Sequence, residues 1–302
     1  MHPLIKQLLA NGPVITDGAW GTELQARGLA TGEFPDAWNL SHPECVAQVA
    51  RAYVEAGSQI ILTNTFGANR VRLSEAGLEG KVVEINRAGV EISRRAALDR
   101  AFVFASMGPS GKLLPDGDAN PDELRAAFVE QAQALAAAGA HALVVETMSD
   151  VDEALLAVAA ARATGLPVVA CMVFDSGRNK DHTMMGNSPE QAARALTAAG
   201  ADVLGANCGQ GIAGFPAICK QLRAATDRPI WLKPNAGLPQ LIGGRATYDT
   251  TPQEFCRSVP ELIKLGASFV GGCCGTGPDF IRALKGPMGG PRSLADTPLP
   301  KQ

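Results

Sequence analysis

An eightfold alternation constrains the fold of this chain more than any other feature. The short apolar runs "PVITDGAW", "QIILTNTF", "AFVFASMG", "ALVVETM", "PVVACMVF", "DVLGANCG", "PIWLKPNAG" and "SFVGGCCG" are separated by longer Ala/Leu/Glu/Arg-rich segments of helical period. Each run is almost continuously apolar, as strands of a parallel sheet buried on both faces must be. The segments between them include "PECVAQVARAYVEAG", "ELRAAFVEQAQALAAAG", "VDEALLAVAAARATG", "SPEQAARALTAAG" and "TPQEFCRSVPELIKLG". Several begin at Ser, Thr or Asp and end at Gly, the residues that cap helix starts and stops. "SPEQ" and "TPQE" also place Pro at the first helical position and an amide or acid at the third.

An open doubly wound sheet is the competing architecture. Eight regular units, with no Gly-x-Gly-x-x-Gly after the first run, favour closure into a single (β/α)8 TIM barrel. The barrel is expected to occupy residues 1–285, and residues 286–302 to form a mobile Pro/Gly-rich tail. Residues 107–121, "MGPSGKLLPDGDANP", read as a loop long enough to reach over the barrel mouth.

With 46% hydrophobic and 19% charged residues, the chain can bury a sizeable core. A net charge of −3 gives no electrostatic case for nucleic acid or an anionic membrane as partner. The N-terminus shows no signal-peptide pattern, and no apolar run is long enough to span a bilayer. Seven cysteines, an odd number spread along the chain, suit a reducing cytoplasm, where clustered thiols more often bind metal or do chemistry.

Barrel chemistry sits at the C-terminal strand ends. Read in order, these ends carry Asp17, Asn64 with Thr65, Glu146, Asn207 with Cys208, Lys233 with Asn235, and Cys273 with Cys274. Packing alone does not explain so many polar groups terminating apolar runs. The two strands that end in cysteine are separated by one other, about 9–10 Å by strand spacing. For the adjacent Cys273 and Cys274 to face one centre the backbone must leave the strand, and the neighbouring glycines allow it. Three sulfurs could then hold one tetrahedral zinc ion with its fourth position open, the arrangement of a catalytic site. A vicinal disulfide, a redox pair and inert core thiols are the alternatives. Glycine context and strand-end placement favour the metal for these three, whereas Cys45, Cys171, Cys219 and Cys256 read as core thiols.

Asp17 reads either as a turn cap or as an anion for a substrate ammonium. Glu146 reads either as that anion or as a structural partner of Lys233. Asn64, Asn207, Asn235 and backbone N–H groups of the glycine turns are candidates for a substrate carboxylate. No histidine ends a strand, so a Ser-His-Asp apparatus lacks support.

The motifs "TDGAWGTELQARGL", "TNTFGANRVRL", "VVETMSDVDEA", "GANCGQG", "LKPNAGLP" and "GGCCGTGPDFIRAL" resemble, in order and over roughly residues 10–285, the homocysteine S-methyltransferase family. They resemble the homocysteine-binding module of cobalamin-dependent methionine synthase and S-methylmethionine enzymes more than the betaine enzyme. The resemblance implies one zinc per chain, held by Cys208, Cys273 and Cys274. It places the L-homocysteine amino and carboxylate groups near Asp17, Asn64, Thr65 and Glu146. It implies methionine formation by direct attack of a zinc-bound thiolate on the methyl donor. Betaine enzymes carry an aromatic residue after the strand-four Glu, and Thr147 in that place counts against betaine. The implied donor is S-methylmethionine, S-adenosylmethionine, or methylcobalamin on a separate corrinoid protein, since no cobalamin or folate module follows within these residues. A corrinoid-dependent demethylase component and a homocysteine-presenting module of a larger assembly are the alternative functions.

Overall fold

The computed structural model describes residues 1–112, 114, 120–242 and 245–289. All eight expected strands are present: β1 (Val14–Ile15), β2 (Ile60–Ile61), β3 (Phe102–Met107), β4 (Ala142–Met148), β5 (Val168–Met172), β6 (Val203–Gly211), β7 (Ile230–Asn235) and, after a hairpin, β10 (Ala267–Val270). They form one parallel sheet in the order β1-β10-β7-β6-β5-β4-β3-β2, with helices packed around it, the arrangement of a (β/α)8 barrel.

The seam between β1 and β2 is where the barrel closes. The Gln59 N–H donates to the Ile15 carbonyl at 2.8 Å, and its side-chain Oε1 accepts from the Ile15 N–H at 2.9 Å. The Leu62 N–H donates to Asp17 Oδ2 at 2.7 Å. Side chains thus take over from backbone carbonyls where the ladder is too short to continue, so the buried backbone donors still find acceptors.

Alternate residues of the strands point inward and fill the barrel. Val14, Leu62, Phe102, Phe104, Trp231 and Phe269 belong to this inner core, which Leu4, Ile5 and Leu8 of the helix Pro3–Leu9 plug from below. Phe104 and Trp231 stack at 6.1 Å between centroids, and Phe269 lies 5.2 Å from Trp231. This bulk forces β6 tight against β7: a Cβ on Gly205 would lie 1.8 Å from the Trp231 carbonyl oxygen. A second, larger core lies between strands and helices.

Both expected capping boxes form, at Ser188 and Thr251. The segment read as one helix over 251–266 is two, Pro252–Arg257 and Val259–Lys264, which meet at Ser258. Pro260 explains the break, since it has no N–H to give the carbonyl four residues back. The antiparallel hairpin of β8 (Gln240–Ile242) and β9 (Arg245–Thr247) was not anticipated. Met288 is buried with Leu284 in the outer core. The rest of the expected tail, 290–302, lies outside the described residues, as do 113 and 115–119 of the loop read as reaching over the mouth. Among the described residues no helix is long and apolar enough to cross a membrane.

Candidate active site

The strand ends open into a cavity of about 470 Å³. Of the residues singled out by sequence, Asn64, Glu146, Cys208, Cys273 and Cys274 line it, together with Lys233. Asp17, Thr65, Asn207 and Asn235 stand behind its wall and hold it in shape.

The thiols converge as expected. The sulfurs of Cys208, Cys273 and Cys274 all lie within 4.8 Å of one another, with Cys208 and Cys274 4.0 Å apart. Two departures from strand geometry bring this about. Beyond Cys208, β6 shifts register against β7, and Cys208 itself (φ 63°) and Gly209 (φ 69°) are left-handed. Cys208 thus pays a backbone strain that only Gly or Asn adopts readily. After β10 the chain turns, and the turn is stitched on both sides: Gly272 N–H to the Asp17 carbonyl at 3.0 Å, Cys273 N–H to the Pro234 carbonyl at 2.8 Å, and Ala236 N–H to the Cys274 carbonyl at 2.9 Å. The glycines there serve close approach as much as conformation. A Cβ on Gly271 would lie 2.0 Å from Thr16 Oγ1, whereas Gly275 (φ 80°) does need the left-handed region.

Crowding the thiols divides their acidity. Hydrogen bonds from Cys273 and Cys274 pull Cys208 down to about 3. The same contact with Cys208 pushes Cys274 up to about 12 and Cys273 well above the usual thiol range. The crowding thus opposes ionisation of all three thiols at once. Full ionisation of all three calls for a bound positive charge, which fits the donor set to a soft divalent metal such as zinc. Asn235 adds a neutral oxygen: its Nδ2 donates to the Gly209 carbonyl at 2.8 Å, and its buried Oδ1 has no partner.

Across the cavity, Glu146 is buried and accepts from Ser106 Oγ at 2.5 Å. Burial raises its pKa, and Lys233 and the Ser106 hydrogen bond only partly offset this. The ion pair suggested for Glu146 and Lys233 forms elsewhere: Lys233 Nζ donates to Asp17 Oδ1 at 2.5 Å. Burial disfavours the Lys233 charge, but Asp17 and Glu146 together raise its pKa. Asp17 Oδ2 also accepts from Trp20 Nε1 at 2.7 Å, in addition to Leu62. Its carboxylate is committed to the scaffold on both oxygens. Asn64 Nδ2 donates to the Pro35 carbonyl at 2.7 Å and to Asn39 Oδ1 at 2.9 Å. Thr65 Oγ1 donates to the Ser106 carbonyl at 2.7 Å.

Two features are not evident from the sequence, one on the cavity wall and one beside Cys274. Thr22 Oγ1 is buried without a partner on the cavity wall; it stands within "TDGAWGTELQARGL", where Asp17 alone reads as a site residue. Tyr248, just past the hairpin, lies against Gly275, where a Cβ would come within 2.3 Å of its ring, and it interacts with Cys274. Its position depends on a hairpin whose three-residue strands are too short to leave a sequence signal.

The homocysteine S-methyltransferase family profile matches residues 14–287. This chain belongs to that family. It is 31% identical over 294 residues to the methionine synthase of Mycobacterium leprae, and 31% identical over 296 residues to that of Mycobacterium tuberculosis. Each alignment covers 92% of this chain but only 24% and 25% of those proteins, so the chain spans about a quarter of the length of these relatives. Among solved structures, the homocysteine methyltransferase MmuM of Escherichia coli in its metallated form superposes with a TM-score of 0.79 at 24% identity, covering 94% of this chain and 99% of that one. The family is one of homocysteine S-methyltransferases, and the cavity at the strand ends is the candidate site.

Proposed function

We propose that the chain transfers a methyl group to the sulfur of L-homocysteine, forming methionine, at a zinc site made by Cys208, Cys273 and Cys274. The observation that carries this reading is the meeting of three sulfurs and the buried carboxyl of Glu146 on the walls of one cavity. Zinc held by the trio would supply a Lewis acid that keeps an incoming thiol ionised at neutral pH, where a free thiol is only a few per cent thiolate. The chain's own groups do the rest. Glu146 takes the substrate ammonium. The backbone turn at residues 18–21 and the unpartnered Thr22 hydroxyl take its carboxylate. Lys233, fixed by Asp17, sets the potential between them. Holding the amino-acid end in this way aims the sulfur at the donor, which supplies the orientation advantage.

The donor is either a small onium compound, S-methylmethionine or S-adenosylmethionine, or methylcobalamin carried by a separate corrinoid protein. Phe34 and Phe66 on the cavity wall give an aromatic lining where the methyl group must arrive. A second reading, a module presenting homocysteine inside a larger assembly, is favoured by the chain's matching only a quarter of the mycobacterial methionine synthases. The deciding experiment is a donor screen with homocysteine on protein purified under reductant, with zinc quantified. Turnover with a soluble onium donor supports direct methylation, and turnover only with a corrinoid protein supports the second donor class. Tight homocysteine binding without turnover supports the presenting module. No stoichiometric metal even after reconstitution would sink the zinc site.

A further inference from the structure

Asn207 was expected to touch the substrate, yet it lies behind the wall, between Glu146 and the thiols. Its amide orientation is fixed by a backbone group that can only donate: the Thr147 N–H gives its hydrogen to Asn207 Oδ1 at 2.8 Å. The Nδ2 group therefore faces three acceptors, Thr147 Oγ1 at 2.6 Å, Glu146 Oε2 at 3.4 Å and Cys273 Sγ at 3.8 Å. An amide nitrogen has two hydrogens. Thr147 holds one at short range, and Glu146 and Cys273 divide the other at long range. The residues on either side of this junction, Thr147 (φ 61°) and Cys208 (φ 63°), are both non-glycine residues in the left-handed region. Such strain persists only where the surroundings fix it, and here Asn207 makes the fixing contacts to Thr147.

We propose that Asn207 is a positioning residue that couples occupancy of the Glu146 subsite to the metal affinity of the cysteine trio. The inference rests on the functional reading above. An ammonium bound to Glu146 gives that carboxylate a stronger donor, so the second amide hydrogen turns to the Cys273 sulfur. Hydrogen bonds to a metal ligand from outside its coordination shell shift metal affinity by about 10–100-fold when lost. By linkage, metal on the trio tightens the amino-acid end by the same factor. The two halves of the site are then filled as a unit, although Glu146 and the sulfurs come from different strands.

The test uses L-2-aminobutyrate, which carries the amino-acid end of the substrate without the sulfur and so cannot reach the metal itself. Zinc affinity is measured on the full chain by chelator competition, with and without saturating L-2-aminobutyrate, and circular dichroism checks that each variant is folded. In the wild type, zinc should bind at least about 5-fold tighter with the amino acid present, the lower end of ordinary site-to-site coupling. Asn207→Asp keeps the acceptor for the Thr147 N–H but loses both amide donors, and its coupling factor should fall to about one. Thr147→Ala removes one acceptor, leaving a hydrogen each for Glu146 and Cys273. That variant should hold zinc more tightly without the amino acid and gain little on adding it, a result that a merely structural role for Asn207 does not give. Should Asn207→Asp fail to fold, Thr147→Ala decides alone. Wild-type protein that binds both ligands with no change in zinc affinity overturns the inference and leaves the functional reading standing. Wild-type protein that binds no zinc, or no L-2-aminobutyrate, overturns both.

Discussion

Glu146 and Asp36 are both buried carboxyls on the cavity wall, yet their surroundings ask different things of them. Glu146 accepts from Ser106 and Asn207 and lies near Lys233, which partly offset the rise that burial imposes on its pKa, and a bound ammonium would favour its charged form further. Glu146→Gln keeps the shape and the Ser106 contact but loses the charge. The expected outcome is a homocysteine Kd raised at least about 10-fold, the 1.5–3 kcal/mol of a charge-assisted hydrogen bond, with zinc content unchanged. Calorimetric titration with parallel metal analysis checks it, and an unaltered homocysteine affinity would make Glu146 structural. Asp36 is held by a backbone donor instead. Burial raises its pKa from 3.8 to about 6, and the Gly67 N–H at 2.9 Å offsets only part of this. A carboxyl with a raised folded pKa binds more protons folded than unfolded between those two values. Its contribution to stability therefore falls as pH rises from about 4 to about 6. Asp36→Asn should stabilise the protein at pH 7 by up to roughly 3 kcal/mol, two units at about 1.36 each, and by almost nothing at pH 4. Urea midpoints of variant and wild type at both pH values isolate this group from His141, whose lowered pKa of about 4 gives the opposite slope in both proteins.

At the level of elements, the weak point is the closure of β1 on β2, each two residues long. Asp17 serves that closure twice, accepting the Leu62 N–H and neutralising Lys233, itself 2% exposed. Removing one partner of a buried pair costs about 3–5 kcal/mol, because the other charge is left in a poor solvent. Asp17→Asn should lower unfolding stability by that order in denaturant titration. A loss below about 1 kcal/mol would mean that Glu146 takes over as the counter-charge for Lys233. The strands themselves were legible because burial on both faces leaves an unbroken apolar run with no alternation to misread. The hairpin of Gln240–Ile242 with Arg245–Thr247 was not, since strands of three residues are too short to show a period. Among the site residues, the thiols could be found because chemistry and fold agree on strand ends. Which of Asp17, Asn64, Asn207 and Asn235 faces the cavity was not legible, because the register shift beyond Cys208 and the turns after the other strands decide the direction of each side chain.

For the molecule as a whole, the question is whether the proposed metal would build the barrel or merely be held by it. The inner core of Phe104, Trp231 and Phe269, and the ladder from β10 round to β2, are complete below the level of the thiols. The cysteine turn is fastened by its own backbone bonds to Asp17, Pro234 and Ala236, none of which involves sulfur. Metal removal should therefore leave the far-UV circular dichroism unchanged and the unfolding transition cooperative. The midpoint should nonetheless fall, because a ligand that binds only the folded state adds RT ln(1 + [L]/Kd), about 2.7 kcal/mol at a hundredfold excess over Kd. For a chain of this size that is a shift of several degrees, and it should depend on free zinc concentration. Cys208→Ala, Cys273→Ala and Cys274→Ala should each abolish both the zinc and its concentration dependence while the protein remains folded at the apo midpoint. Calorimetry across a zinc series compares the four proteins directly. Loss of the cooperative transition on chelation would show that the barrel needs its metal to fold, and a variant that keeps the full zinc response would remove its cysteine from the ligand set.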